Sequence, residues 1–321
     1  MRPLPLLKLL KSIKEQTLYP NKILIIDGST NRGTEELLRD NTFLNLQYYK
    51  VDDQDRGLTK QRNFGIKRVS ANSNIVCFLD DDTILQKDYF EELISTYKQY
   101  PEALGVGGYI NNQVKWFETK AKSSNKKFFY DGWERKEPFR FRVRRFFRLQ
   151  PNRPPCFLPN FSHGRSVGFL PPSGKIYEVE QFMGGVSSFR KEVFDKLSFS
   201  DYFEGYGLYE DADFTLRLSK LGKLYVNTAA KLEHHHDHSG RPNKYSYGKM
   251  VARNGWYVWR VKHPNPSFKA RIKWNLTFIL LMKLRFVNAL TTKKRFESFT
   301  EAIGRLTGWL SLIVNKPRVK V

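Results

Sequence analysis

Three adjacent carboxylates, Asp80, Asp81 and Asp82, follow the apolar run Ile75 to Leu79. Like charges this close repel unless a cation lies among them. Hard oxygen donors suit Mg²⁺ or Mn²⁺, ions that join one or two protein carboxylates to substrate phosphates. The competing reading is an acidic turn in which Asp82 or Thr83 caps the next helix. A second acidic set, Glu210, Asp211 and Asp213, opens a helical pattern, where the helix dipole alone favours acids. Four of the six histidines, His234, His235, His236 and His238, fall within five positions, either as metal ligands or as a surface cluster. Gly184-Gly185 permits close backbone approach to a ligand, or marks only a tight turn. Arg62 offers a guanidinium fork for a diphosphate, or a solvated helix face. Asp27 closes a short apolar run, where a carboxylate can accept from a base or ribose.

These residues need elements to hold them. Ile75 to Leu79 has no polar alternation and reads as a strand buried on both faces of a mostly parallel sheet, which sets Asp80 to Asp82 at its carboxyl end, the ligand-binding edge of open α/β sheets. Leu6, Leu9, Leu10 and Ile13 recur at helical spacing against Lys8, Lys11 and Lys14. Lys22 to Ile26 reads as a short strand, and Asp27 to Thr30 as a turn that caps a helix over Thr34 to Leu38. Leu46 to Val51 is a third strand, Arg62 and Asn63 lie in or beside a helix leading to the acidic strand, and Lys223 to Val226 is a late strand.

At 321 residues the chain can bury a full core, and 40% hydrophobic with 15% aromatic content excludes a disordered chain. Lys and Arg number 55 against 32 Asp and Glu, a net +23 that implies a polyanionic neighbour. Cys77 and Cys156 offer neither a disulfide framework nor a metal spacing, so a reducing compartment is expected. No run reaches the length of a membrane span, and the start lacks the long apolar region of a signal peptide.

Several motifs in order carry a resemblance: Gln16-Thr17, the Asp27 to Thr30 turn, Gln61 to Ile66, Phe78 to Asp82, Met183 to Arg190, Gly205 to Phe214 and Arg217, then the histidines after Glu233. Over roughly residues 6 to 240 the chain resembles family 2 glycosyltransferases of the GT-A fold. The resemblance implies an inverting, metal-dependent transfer from a nucleotide-diphosphate sugar. It places Asp80 and Asp82 on ribose and metal, Asp81 and Arg62 with the nucleotide, and Gly184-Gly185 beside the donor sugar. Asp211 becomes the general base and Glu210 the residue that orients the acceptor. His234 is the histidine favoured to complete a Mg²⁺ or Mn²⁺ shell. Two departures stand out. The family opens with a strand and a Thr/Tyr-Asn-Arg turn, whereas this chain begins at or just after that turn, so the first strand is expected to be missing and an upstream start is expected. The turn after Ile26 is also one acidic residue shorter than the commonest form, which bears on base binding by Asp27.

Four segments are expected: a nucleotide-sugar half over 1–110, a basic and aromatic insertion over 111–180, an acceptor and catalytic half over 181–240, and an amphipathic helical extension over 241–321. In the insertion, Phe139 to Leu149 alternates apolar residues with Arg. This suits single-stranded nucleic acid, an anionic membrane interface, or aromatics packed inward with solvated arginines. In the extension, Phe268, Ile272, Leu276, Ile279, Phe286 and Leu290 share a helical face ringed by Lys and Arg, the pattern of an interfacial membrane helix or of a packing helix. The expected protein is a glycosyltransferase at the cytoplasmic membrane face, with a saccharide or lipid-linked acceptor and no nucleic-acid partner. The rivals are a nucleotidyltransferase and a degenerate transferase domain serving as a basic scaffold.

Overall fold

The computed structural model describes residues 2–121, 124–235 and 242–319. In chain order come α1 (Pro3–Lys14), β1 (Ile23–Asp27), α2 (Gly33–Asp40), β2 (Leu46–Lys50), α3 (Leu58–Ile66), β3 (Ile75–Leu79), β4 (Thr83–Leu85), α4 (Tyr89–Gln99) and β5 (Ala103–Ile110). There follow β6 (Phe117–Glu118), β7 (Lys127–Tyr130), β8 (Trp133–Lys136) and α5 (Phe139–Phe146). The rest is β9 (Ile176–Val179), β10 (Val186–Arg190), α6 (Glu210–Leu218), β11 (Lys223–His234), α7 (Lys244–Lys262), α8 (Phe268–Thr291) and α9 (Arg295–Val314). They form two compact units, Met1–Lys115 with Leu170–Ser239, and Trp116–Phe169 with Gly240–Val321.

The first unit is α/β. Its large sheet has the order β3-β10-β5-β11-β4, with β9 also on β11, while β1 and β2 form a separate parallel pair. The sheet is mixed. Strands entered from a helix, β3 from α3, β5 from α4 and β11 from α6, share one direction, as crossover connections require. The strands β4, β9 and β10 are entered from loops and run against them. The expected parallel arrangement therefore holds for three of the strands, and β3 lies at a sheet edge with its residues only half-buried. Among the described residues, β1 pairs only with β2 and β3 only with β10. The helical spacing in α1 has its reason in Leu6, Leu9, Leu10 and Ile13, all buried in a core shared with Leu85, Leu93, Val106 and Leu232.

Two local expectations change. Thr30 does not cap α2. Asp27 takes the Ser29 amide at 2.8 Å, the chain runs further, and the Asn31 side chain accepts from Gly33 N at 3.2 Å at the true helix start. Asp82 and Thr83 do not cap a helix either. Thr83 begins β4, and its hydroxyl donates to the Asp80 carbonyl at 2.8 Å, closing the acidic turn on itself.

The second unit joins the antiparallel strands β6-β8-β7 and α5 to the helices α7, α8 and α9. Its core gathers Leu149, Phe161, Trp259, Trp274, Phe278 and Leu312. A Cβ on Gly248 would run into the backbone of Glu301, and one on Gly304 into that of Tyr245, so α7 and α9 meet backbone to backbone. The picture of inward aromatics and solvated arginines in α5 is reversed at key positions. Arg144 is 1% exposed and donates to the Leu149 and His163 carbonyls at 2.9 and 3.0 Å, whereas Phe139 and Phe146 face solvent. The long, forked guanidinium satisfies two carbonyls that a turn leaves inside.

Candidate active site

The site lies in the first unit, where β3 ends. Antiparallel pairing sets Leu79 opposite Val186, so the end of β3 faces the residues just before β10, and Asp80 N donates to the Gly185 carbonyl at 3.0 Å. A Cβ on Gly185 would fall inside the Asp80 carboxylate, and one on Gly184 would lie 2.6 Å from Arg62 Nη1 and 2.7 Å from Glu210 Oε1. The paired glycines are thus required by the protein's own charged side chains.

β11 ends at His234, paired with Thr83 of β4, and brings its imidazole to the same place. His234 Nε2 is 3.0 Å from Asp82 Oδ1. Asp80, Asp82 and His234 each offer one donor atom within 4.8 Å of the others. Two carboxylates and one imidazole on three fixed strand ends match the donor set of a divalent cation, and the residues fit one. The acids already attract a cation from the chain. Arg2 reaches Asp82 at 3.0 Å and pairs with Asp81, and its backbone N donates to Asp81 Oδ2 at 3.0 Å. His235 turns to Glu233 instead, at 2.8 Å, and His236 and His238 lie outside the described residues.

Beside this group, α3 and α6 contribute a buried ion pair, Arg62 to Glu210 at 2.6 Å, both under a tenth exposed. Arg62 also lies over the rings of Phe78 and Phe199 at 5.6 and 5.1 Å. Asp211 is the second residue of α6 and accepts from Ala212 N at 2.7 Å and Gly184 N at 3.3 Å. The residue before the helix, Tyr209, holds φ 72°, a left-handed conformation costly for a side chain of this size and typical of strained functional loops. Glu210, Asp211 and Asp80 surround a single arginine. Burial is the largest cause and raises the pKa of all three; the pull of Arg62 opposes it without cancelling it, smaller repulsions from neighbouring carboxylates add to it, and Glu210 is pushed up to about 8. Burial pulls His234 down, but the hydrogen bond and charge of Asp82, with Asp80, leave it raised.

Asp27 is fully buried at the end of β1, accepting from Ser29 N and, at 3.0 Å, from Tyr48 Oη. Burial would raise its pKa, and these hydrogen bonds more than offset it. Two residues carry weight that sequence reading did not assign. Gln61 donates to the Ile26 carbonyl at 2.8 Å, tying α3 to β1, and Asn63 exchanges two hydrogen bonds with the Phe199 backbone at 2.9 and 3.0 Å. With Arg62 between them, the run Gln61-Arg62-Asn63 fastens one helix to three separate segments. At 3.6 residues per turn the three side chains spread over about 200° of the helix, which is what lets one short run reach separate neighbours.

A sequence profile of glycosyl transferase family 2 matches residues 2–178, more than half of the chain. The chain belongs to glycosyl transferase family 2. A profile described as the N-terminal domain of galactosyltransferase matches residues 165–238 of this family 2 chain. Among curated relatives, it is similar to the glycosyltransferase GlyA of Streptococcus pneumoniae, 27% identical over 104 residues that make up 32% of this chain and 15% of that protein. It is also similar to a glucosyl-dolichyl phosphate glucuronosyltransferase of Haloferax volcanii, 25% identical over 100 residues, 31% of each protein. The matched stretches thus span under a third of these relatives. Among solved structures, GalNAc-T7 with UDP, GalNAc and Mn²⁺ superposes with a TM-score of 0.50 at 13% identity, covering 84% of this chain and 50% of that one. This likeness concerns the fold, which is GT-A.

Proposed function

We propose that this glycosyltransferase moves a sugar from a nucleotide-diphosphate donor to a hydroxyl of a saccharide or lipid-linked acceptor, in one inverting displacement. The observation that carries the reading is the convergence of Asp80, Asp82 and His234 beside an Asp211 anchored on Gly184. Bound by those three residues, Mg²⁺ or Mn²⁺ would supply positive charge for the departing diphosphate. Mn²⁺ in the GalNAc-T7 structure supports this choice.

Asp211 acts as the general base. Its raised pKa makes it a stronger proton acceptor than an ordinary aspartate, and two backbone amides fix its orientation. It takes the acceptor hydroxyl proton as that oxygen attacks the anomeric carbon, and the bond to the diphosphate breaks on the opposite side. Glu210, buried against Arg62, orients the acceptor indirectly by holding the wall beneath Gly184. The diphosphate lies toward the end of β3, where Asp81 faces Arg2 and the charge of Arg62 acts on Asp80. The nucleoside meets the turn after β1, whose shape is set by the carboxylate of Asp27 on Ser29 and Tyr48. The strong basic excess supports a place at the cytoplasmic face of an anionic membrane, with lipid-linked acceptors within reach.

Calorimetry with a nucleoside diphosphate and Mn²⁺ tests the assignment. Asp82→Ala should abolish metal-dependent binding while the protein stays folded. Unchanged affinity in the variant would refute it.

A further inference from the structure

The second unit holds 31 of the 55 Lys and Arg but only 6 of the 32 Asp and Glu, a net +25, which exceeds the charge of the whole chain. Within it, α8 is apolar on two sides. Ala270, Trp274, Thr277, Phe278 and Met282 are buried. Phe268, Ile272, Leu276, Val287 and Leu290 are exposed, from 43% to 78%. At 3.6 residues per turn these five fall in an arc of roughly 100° on the far side from the buried set, interrupted by the exposed Lys269 and Lys283. A helix that packs on one face and needs no second partner carries polar residues there, and a solvent-facing apolar stripe of this length marks an interaction surface.

The stripe runs into the corner between α8 and α9. Lys293, Lys294 and Arg295 are exposed there, and none makes an ion pair among the described residues. Phe296 and Phe299 follow at 82% and 50% exposed, and the Phe286 and Phe299 rings, 6.1 Å apart, hold the corner together. The nearby acids are engaged elsewhere, Glu297 with Lys244 at 3.5 Å and Glu301 with Arg285 and Arg305 at 3.1 and 2.6 Å. Among the described residues no helix is long and apolar enough to cross a membrane.

We propose that the outer face of α8 and the α8–α9 corner lie in the headgroup layer of an anionic bilayer. Leu290 and Phe296 enter the boundary of the hydrocarbon, and Lys293, Lys294 and Arg295 meet lipid phosphates. The proposal rests on the membrane placement given above and deepens it by naming the docking element. Charge alone would suit any polyanion. The aliphatic Ile272, Leu276, Val287 and Leu290 decide for lipid, because they have no ring to stack on a base and nothing to offer a soluble polyanion, whereas a bilayer takes them in.

The full chain is sedimented with phosphatidylcholine vesicles, with and without phosphatidylglycerol, in the absence of any donor. Wild type should pellet only with the anionic vesicles. The double variant Leu290→Ser with Phe296→Ser, and the triple variant Lys293→Glu, Lys294→Glu, Arg295→Glu, should each bind about ten-fold less or worse. Both should keep the wild-type melting temperature, since all five side chains are exposed. If either variant binds as wild type, the corner is not the docking element. If the serine variant keeps its vesicle binding while the glutamate variant loses both vesicles and a single-stranded RNA probe, the surface is a general polyanion site and the lipid proposal falls. Donor binding and hydrolysis in solution are measured separately, so failure of the transferase reading would show there and leave the vesicle result intact.

Discussion

The two units solve opposite electrostatic problems. In the first, one arginine, Arg62, sits among Glu210, Asp211 and Asp80, and the unit as a whole holds 24 basic against 26 acidic residues. In the second, each of two buried carboxylates is shared by two guanidiniums, Glu137 by Arg145 and Arg165, and Glu301 by Arg285 and Arg305. The first unit therefore keeps a buried excess of negative charge facing its site, suited to a cationic guest. The second keeps an excess of positive charge at its surface, suited to an anionic one. A net charge of +23 describes neither unit.

The sharpest way to break this contrast is to remove a charge from the acidic site without changing its shape. Asp211→Asn should lower turnover by about 10²- to 10⁴-fold while donor affinity stays close to wild type. Steady-state kinetics and calorimetry on the same preparation check it, and a parallel collapse of donor affinity would make Asp211 a binding residue instead.

That site was legible only in part. The carboxylates after β3 and at the start of α6 stood out because acids next to an apolar run need a reason, and the strand and helix patterns around them are strong. The partners were not legible. That Arg62 meets Glu210 depends on α3 and α6, far apart in sequence, packing across the end of β3. That Arg2 reaches Asp81 and Asp82 depends on α1 entering beside β4. The antiparallel direction of β10 was not legible, because its run of apolar and small residues carries no sign of the loop that feeds it. The burial of Arg144 was not legible either, because the alternation in α5 does not say which carbonyls a later turn will leave inside.

Asn63 offers a smaller perturbation. Its amide exchanges two hydrogen bonds with Phe199, whose ring stacks on Phe214 at 4.3 Å. Asn63→Ala strands a backbone N–H and C=O, at about 1–3 kcal/mol for each group left unsatisfied. Urea unfolding should show that loss, and a midpoint equal to wild type would mean that water replaces the amide.

The smallest effect expected is on the pH dependence of stability. Glu210, with its pKa pushed up to about 8, and His234, also raised, hold protons more tightly in the folded than in the unfolded chain. Where the unfolded chain has released those protons and the folded one has not, stability falls as pH rises. His163 of the second unit works the other way. Burial holds it down at about 4 against an ordinary 6.5, so it favours folding as pH rises between those values and is silent above them. In metal-free protein the melting temperature should therefore decline from pH 6.5 to 8, and Glu210→Gln should flatten the decline. A wild-type curve that rises across this window would show that Arg62 keeps Glu210 ionised throughout.

The contact between Gly185 and Asp80 reaches beyond the reaction itself. The orientation of Asp80 is moulded by an atom that is missing, since the space a Cβ would claim is where the carboxylate lies. Position 185 is thus half of the mould for position 80, although it contributes no functional group. Grafting the acidic triplet into another scaffold, or recombining this chain with a relative at a crossover between β3 and β10, would carry the carboxylates but lose their shape unless the glycine travelled with them. Inheritance at this site runs in pairs of positions, one supplying the charge and the other its vacancy.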